Sequence, residues 1–298
     1  MKQPFKTVTA WSPGHISGFF SPILSENPQK TGSIGAGIAI KQGVTVTVTP
    51  SQHTSIHIIS RTNTGTTHEQ WPQTSPLTDL LNHLHISTPL NITTKCTLPL
   101  SSGFGLSAAS LLALAHAVRT YFQLPLSDLA CAQAAHEIEV RNRTGFGDIA
   151  GSMRGGIIYR STPGIEGGIT GHKIHHSAQD QITTLILGPL QSHTILTSDI
   201  ALNRIKDAFP TQKPYTITEF FELSSLFAKQ SGLITPAVAH ILKAAEKAHV
   251  YASMTMLGEG VFALGKEGQG FLSAHAKDQN SIFPCDIAHR GPHILSIT

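Results

Sequence analysis

The stretch that most constrains this chain is Pro99-Leu-Ser-Ser-Gly-Phe-Gly-Leu-Ser-Ala-Ala. It joins a strand-like segment, Asn91 to Leu98, to a helical pattern with Leu111, Leu114, Val118 and Phe122 on one face. Glycines let the backbone turn tightly and point its N–H groups outward. The helix that follows presents unpaired N–H groups and the positive end of its dipole. Together these form a site for a phosphate chain. Ser101, Ser102 and Ser107 add hydroxyls that can bind phosphate oxygens or a magnesium ion. Two other readings fit the same letters. One is a helix cap with small residues for close packing. The other is a dinucleotide fingerprint, Gly103-x-Gly105-x-x-Ala108, which needs an acidic residue roughly 20 positions on. Asp128 is available for that role, but near a helix start rather than a strand end. A P-loop is excluded, because the Gly-Lys-Ser/Thr ending is missing.

Two acids follow. Ser127 predicts the N-cap of a second helix with Leu129, Ala130, Ala134 and Ile138 on its buried side. Glu137 lies within that helix, and Asp148 follows the turn Gly145-Phe-Gly147. Phosphoryl transfer uses carboxylates in two roles, one holding Mg²⁺ and one positioning the attacking hydroxyl. Each acid also has a structural reading. Glu137 could pair with Arg141 at i,i+4, and Asp148 could cap the next helix.

The flanking sequence predicts two α+β domains, residues 1–165 and 166–298. Val44, Val46 and Val48 alternate with threonines, the mark of a half-buried strand. A short strand is predicted over Ser55–Ile59, a loop over 61–76, and a boundary or hairpin over Pro163–Gly171. That last segment holds four glycines and a proline. Beyond it, Gln181–Leu187 and Ile294–Ile297 read as strands, Thr218–Gln230 as a helix, and Thr235-Pro236 as the start of another. The remaining tail reads as short apolar runs separated by turns.

A net charge of +3, with no run of Lys or Arg, argues against nucleic-acid and membrane partners. No stretch approaches the roughly 20 apolar residues of a membrane-spanning helix. Three scattered cysteines form no disulfide framework, and the first residues lack a signal-peptide core, so a cytoplasmic location is expected.

Taken together, these segments resemble the GHMP kinase superfamily, over nearly the whole chain. Ser12-Pro13-Gly14-His15 resembles its first motif, Pro99–Ala109 its phosphate-binding motif, and Met256–Phe262 its C-terminal glycine-rich motif. Glu137 matches the metal-binding Glu, and Asp148 with Gly155-Gly156 matches the Gly-x-Asp…Gly-Gly segment. Leu106 replaces one of the two family serines, and the third motif is short of glycine. Those departures, with Pro13–Phe20 and Thr31–Gly37, are similar to the archaeal pantoate kinases. The resemblance implies a ribosomal-protein-S5-like N-terminal domain and a ferredoxin-like C-terminal domain. It implies ATP over Pro99, Ser101, Ser102, Gly103, Phe104, Gly105, Leu106, Ser107 and Ala108, with Mg²⁺ on Ser107 and Glu137. Asp148 would be catalytic, and the acceptor would be pantoate, phosphorylated on the way to coenzyme A. The acceptor's carboxylate calls for a cation, with Arg154 the leading candidate and His15, Arg141 and Arg143 behind it. A homodimer is compatible with the resemblance.

Seventeen histidines raise the question of a metal site at His83/His85 or at His172, His175 and His176. With Lys and Glu scarce, surface polarity is the simpler role for them. Trp11, Trp71, Met254 and Met256 are expected to pack. A nicotinamide-dependent dehydrogenase and a non-catalytic nucleotide sensor are the rival functions.

Overall fold

The computed structural model describes residues 6–62, 65–70, 74–188 and 198–298. Trp71 lies outside them. Two long antiparallel strands, β1 (Val8–Ile23) and β2 (Gly32–Pro50), form the spine. The expected alternation is realised in β2, where Val44, Val46 and Val48 point into the core. Strand β2 extends much further back than the Val/Thr repeat, through the glycine-rich Gly32–Gly37 segment.

Strands β3 (Ser55–Thr62), β4 (Gly65–Gln70) and β5 (Leu90–Cys96) complete one sheet edge. The order β12-β1-β2-β5-β3-β4 is antiparallel except for the β3–β5 pair. Strand β12 (His293–Ile297) supplies the other edge, where Trp11 packs on His293. Strand β6 (Ile157–Arg160) also pairs with β2, and β7 (Gly171–Ile174) with β6. The strands therefore do not divide at residue 165, because β7 and β12 lie beyond it and still join the first sheet.

The second sheet, in the order β11-β8-β10-β9, contains β8 (Ile182–Gly188), β9 (Ala252–Met254), β10 (Glu259–Leu264) and β11 (Ile282–Cys285). Two expectations fail locally. Residues 61–76, read as a loop, hold β4 and the start of helix α1 (Pro76–His83), which Ser75 caps. The tail also contains α8 (Gly265–His275), glycine-rich and so poor in intrinsic helix propensity. Packing compensates: Leu272 is fully buried, and a Cβ on Gly268 would lie 2.8 Å from the Ala263 Cβ.

Helices α2 (Leu106–Tyr121) and α3 (Asp128–Arg141) follow the phosphate-loop segment, with Ser127 accepting from the Ala130 amide as expected. Ala134 and Ile138 are buried as expected, but Leu129 remains 37% exposed, and Cys131 and Ala135 complete the buried face of α3. A short helix, α4 (Asp148–Ser152), carries the second acid. In the second half stand α5 (Asp199–Asp207), α6 (Ile217–Ser231) and α7 (Pro236–Lys247), the last two at the predicted places. Gly18 lets β1 touch α6, since a Cβ there would strike Ser224 and Phe220. Phe19 and Phe20 of β1 then pack on Phe220 and Phe227, giving both halves one continuous core.

His116 of α2 lies in that core, and burial, aided by the nearby Arg119, pushes its pKa down to about 4. Native His116 therefore stays neutral to about 4, whereas the unfolded chain takes up the proton at 6.5. The unfolded state binds more protons in that window, so stability falls as pH drops through it. Denaturant melts at about pH 7.5 and about pH 4.5 should show a loss from this group on the order of 2–3 kcal/mol. The loss attributable to this group should vanish in His116→Gln.

Candidate active site

The phosphate-loop segment crosses between the two halves. Ser101, Gly103 and Gly105 adopt left-handed backbone conformations, with φ of +57°, +80° and +59°. Gly105 is the N-cap of α2 and offers no side-chain cap, so the first amides of the helix are left for a ligand. Gly103 faces the loop after β9: a Cβ there would lie 2.8 Å from the Met256 carbonyl. Gly258 answers from the other side, its missing Cβ 2.3 Å from the Ser102 carbonyl carbon. The two glycine-bearing segments thus touch backbone to backbone, which no larger residue would allow.

A cavity of about 260 Å³ opens beside this loop. Pro99 through Ala108 all line it, together with Met256 and Leu257. Its lining includes the apolar Ile58, Pro76, Leu77 and Leu111 and the polar Ser17, Ser33, Glu139 and Asp148. Leu106, where the resemblance expects serine, is buried, and Ser107 remains the hydroxyl on the first turn of the helix.

Asp148 lines the cavity from the first position of α4. Its Oδ1 accepts from His15 Nδ1 at 2.7 Å and from Ser17 Oγ at 3.4 Å. Its Oδ2 and the Glu139 carboxylate both face Gly145, where a Cβ would lie 3.2 Å from one and 2.6 Å from the other. Glu139 is 1% exposed, and neither of its oxygens has a well-formed hydrogen bond. Burial, reinforced by the Asp148 charge, raises its pKa well above the usual carboxylate range, against the pull of the Ile149 amide and Arg160.

Glu137 does not join this site. It binds Arg141 one turn on and accepts from Gln29 Nε2 at 3.2 Å. The reason is helical geometry: two residues along α3 turn a side chain through about 200°. Glu139 shares the buried face with Cys131, Ala135 and Ile138, and Glu137 does not. That periodicity is legible in the sequence, and it is the signal that finds Glu139.

Arg154 is exposed and does not line the cavity. Arg160, at the end of β6 and 3% exposed, does not line the cavity either, but it lies directly behind two residues that do, Ser33 and Gly147. Its guanidinium donates to the Ser33 carbonyl at 2.8 Å and to Ser33 Oγ at 3.2 Å. Gly147 lies directly against it, since a Cβ there would sit 2.5 Å from Nη2. Burial draws its pKa down, while Asp148 and then Glu139 hold it up. No motif marks Arg160 in the sequence; pairing of β6 with β2 brings it to Ser33. Asp128, which a dinucleotide reading needs, instead pairs with Arg119 of α2 and lies outside the cavity.

The donor set suits a hard divalent cation. Ser107, Glu139 and Asp148 line one cavity, and among the described residues the buried Glu139 oxygens have no well-formed hydrogen bond, with His136 Nδ1 3.9 Å from Oε2. Magnesium is typically held in this way, by one or two carboxylates plus substrate phosphates and water.

Known proteins share this architecture. Residues 76–156 match the model of the GHMP kinases N terminal domain. A pantoate kinase from Methanospirillum hungatei is 38% identical, covering 97% of this chain and 96% of its own length. Among solved structures, a phosphotransferase related to the CoA biosynthesis pathway superposes with a TM-score of 0.80 at 25% identity, covering 97% of this chain and 98% of its own. Mevalonate diphosphate decarboxylase from Staphylococcus aureus shares the fold at a TM-score of 0.68 and 15% identity, covering 98% of each chain. The chain belongs to the GHMP kinase superfamily and, within it, to the pantoate kinase family.

Proposed function

We propose that this chain transfers the terminal phosphoryl group of ATP to the hydroxyl of pantoate, giving 4-phosphopantoate and ADP for coenzyme A synthesis. The observation that carries this reading is the meeting of an uncapped helix N-terminus and two carboxylates at one cavity, with a buried arginine directly behind its wall at Ser33 and Gly147. The amides of Gly103–Ala108 and the start of α2 cradle the phosphates. Ser107 and Glu139, in place of Glu137, hold Mg²⁺, which when bound neutralises charge on the phosphate oxygens. Asp148 accepts the hydroxyl proton as that oxygen bonds to phosphorus and the bond to the ADP oxygen breaks.

Arg160, in place of Arg154, recognises the pantoate carboxylate with Ser33. Burial favours it for this role, because a guanidinium fork held in low dielectric binds a carboxylate far better than a solvated one. The acceptor thus sits beside Ser33 and Asp148, and the apolar lining that includes Pro76 and Leu77 takes the nucleotide base.

The test is ADP release from Mg-ATP with a panel of hydroxy acids. Release should depend on pantoate and be absent without an acceptor. Arg160→Lys, which keeps the charge but loses the fork, should raise the pantoate KM about tenfold or more. The KM for ATP should move less than about twofold. An unchanged pantoate KM would remove Arg160 from the acceptor site, and pantoate-independent release would remove the kinase reading.

A further inference from the structure

We infer that His15 acts through Asp148. It is a positioning residue that fixes one carboxylate oxygen so that the other faces the acceptor hydroxyl, and it does not bind the acceptor's carboxylate. This rests on the reading of Asp148 as the proton acceptor.

His15 lies on β1 between two irregularities of the β1–β2 register, at Ser12/Gly14 and at Ser17/Phe19. Bulges of this kind re-aim side chains next to active sites. Here His15 and Ser17, two apart and so on one face of the strand, both point at Asp148. The His15 backbone amide also donates to the Phe104 carbonyl at 2.9 Å, tying the strand to the phosphate loop. A Cβ on Gly105 would lie 3.2 Å from His15 Cβ and from Asp148 Cγ, so that loop rests against the pair.

The ring is buried, and its two nitrogens meet different surroundings. A Cβ on Gly37 or on Gly151 would lie 2.3 Å from His15 Nε2, so glycine backbone closes in on that nitrogen from both sides. The other nitrogen, Nδ1, is 2.7 Å from Asp148 Oδ1. An ionised carboxylate accepts only, so Nδ1 carries the hydrogen in this bond. The Ser17 bond ends on the same Oδ1. Oδ2 is left facing Gly145 and the cavity. The hydroxyl proton therefore goes to Oδ2 while Oδ1 stays bound to His15.

Such positioning shows in turnover rather than affinity, and a misplacement of about 1 Å can cost about 10²-fold. His15→Leu should lower kcat about 10²-fold with the KM values for ATP and pantoate within about threefold. His15→Asn, whose amide nitrogen takes the place of Nδ1, should recover turnover to within about tenfold of wild type. Gly151→Ala leaves His15 intact but pushes its ring, and should reproduce the kcat loss even if His15→Leu folds poorly. In an Asp148→Asn background, His15→Leu should cost less than about twofold more, because residues acting as one unit are not additive.

A rise in pantoate KM with kcat retained would overturn the inference and make His15 an acceptor ligand. Losses that multiply in the double variant would overturn it too, as would wild-type turnover in Gly151→Ala. Wild-type turnover in Asp148→Asn alone is a distinct result, which would sink the reading of Asp148 and the inference with it.

Discussion

Asp148→Asn should lower turnover by about 10²–10⁴-fold, equivalent to about 3–5 kcal/mol of barrier, while ATP and pantoate still bind. The substitution keeps the shape of the side chain and removes its charge. Phosphoryl transfer draws most of its catalysis from positioning and electrostatics, so the loss belongs in kcat. The structure also narrows the competing explanation. If Asp148 merely capped α4, asparagine would replace it well. The cap position, however, is Gly147, and Asp148 oxygens bond to His15 and Ser17 instead of the helix amides. Steady-state kinetics with a matched thermal melt decide the matter, and near-wild-type kcat in a folded variant would take Asp148 out of the mechanism.

The second large effect separates two glutamates only two residues apart. Glu139→Gln should raise the Mg²⁺ concentration for half-maximal activity by about tenfold or more, because an amide oxygen is a poorer ligand for a hard cation. Glu137→Gln should leave it unchanged, since Glu137 is occupied with Arg141 and Gln29. A stability readout accompanies this. Burial and the Asp148 charge raise the Glu139 pKa, so keeping it ionised at neutral pH costs the metal-free fold. The unfolded chain, at 4.5, has already lost that proton, so this cost grows as pH rises above 4.5. Glu139→Gln should therefore melt no lower than wild type near pH 8 without Mg²⁺. Equal Mg²⁺ dependence in the two variants would contradict the placement of the metal.

Much of the site was legible before any coordinates. The proposed phosphate loop is one contiguous segment, and the role proposed for it rests on local chemistry: glycines at left-handed positions and the free amides of the next helix. Asp148 was legible for a similar reason, since it follows a turn whose glycines admit close neighbours. The structure shows what those glycines admit, with Glu139 against Gly145 and Arg160 against Gly147. Helices with strong caps, at Ser127, Thr216 and Thr235, fell where expected, because capping is decided within four residues. Helix α8 did not, because its glycines argue against a helix until Leu272 is buried.

The superfamily was legible through the resemblance of its motifs, and the glycine-rich loop and the acid after it stood out through local backbone chemistry. The choice of Glu139 over Glu137 follows the helical period of α3, whereas tertiary packing was needed to bring Arg160 to Ser33 and His15 to Asp148. Those choices turn on which face of α3 packs inward, on the pairing of β6 with β2, and on the bulges that aim β1. The last two bring together residues more than 100 positions apart, His15 and Asp148 at a separation of 133 and Ser33 and Arg160 at 127. No local preference encodes such a meeting, because it is the burial of apolar surface elsewhere in the core that holds it in place.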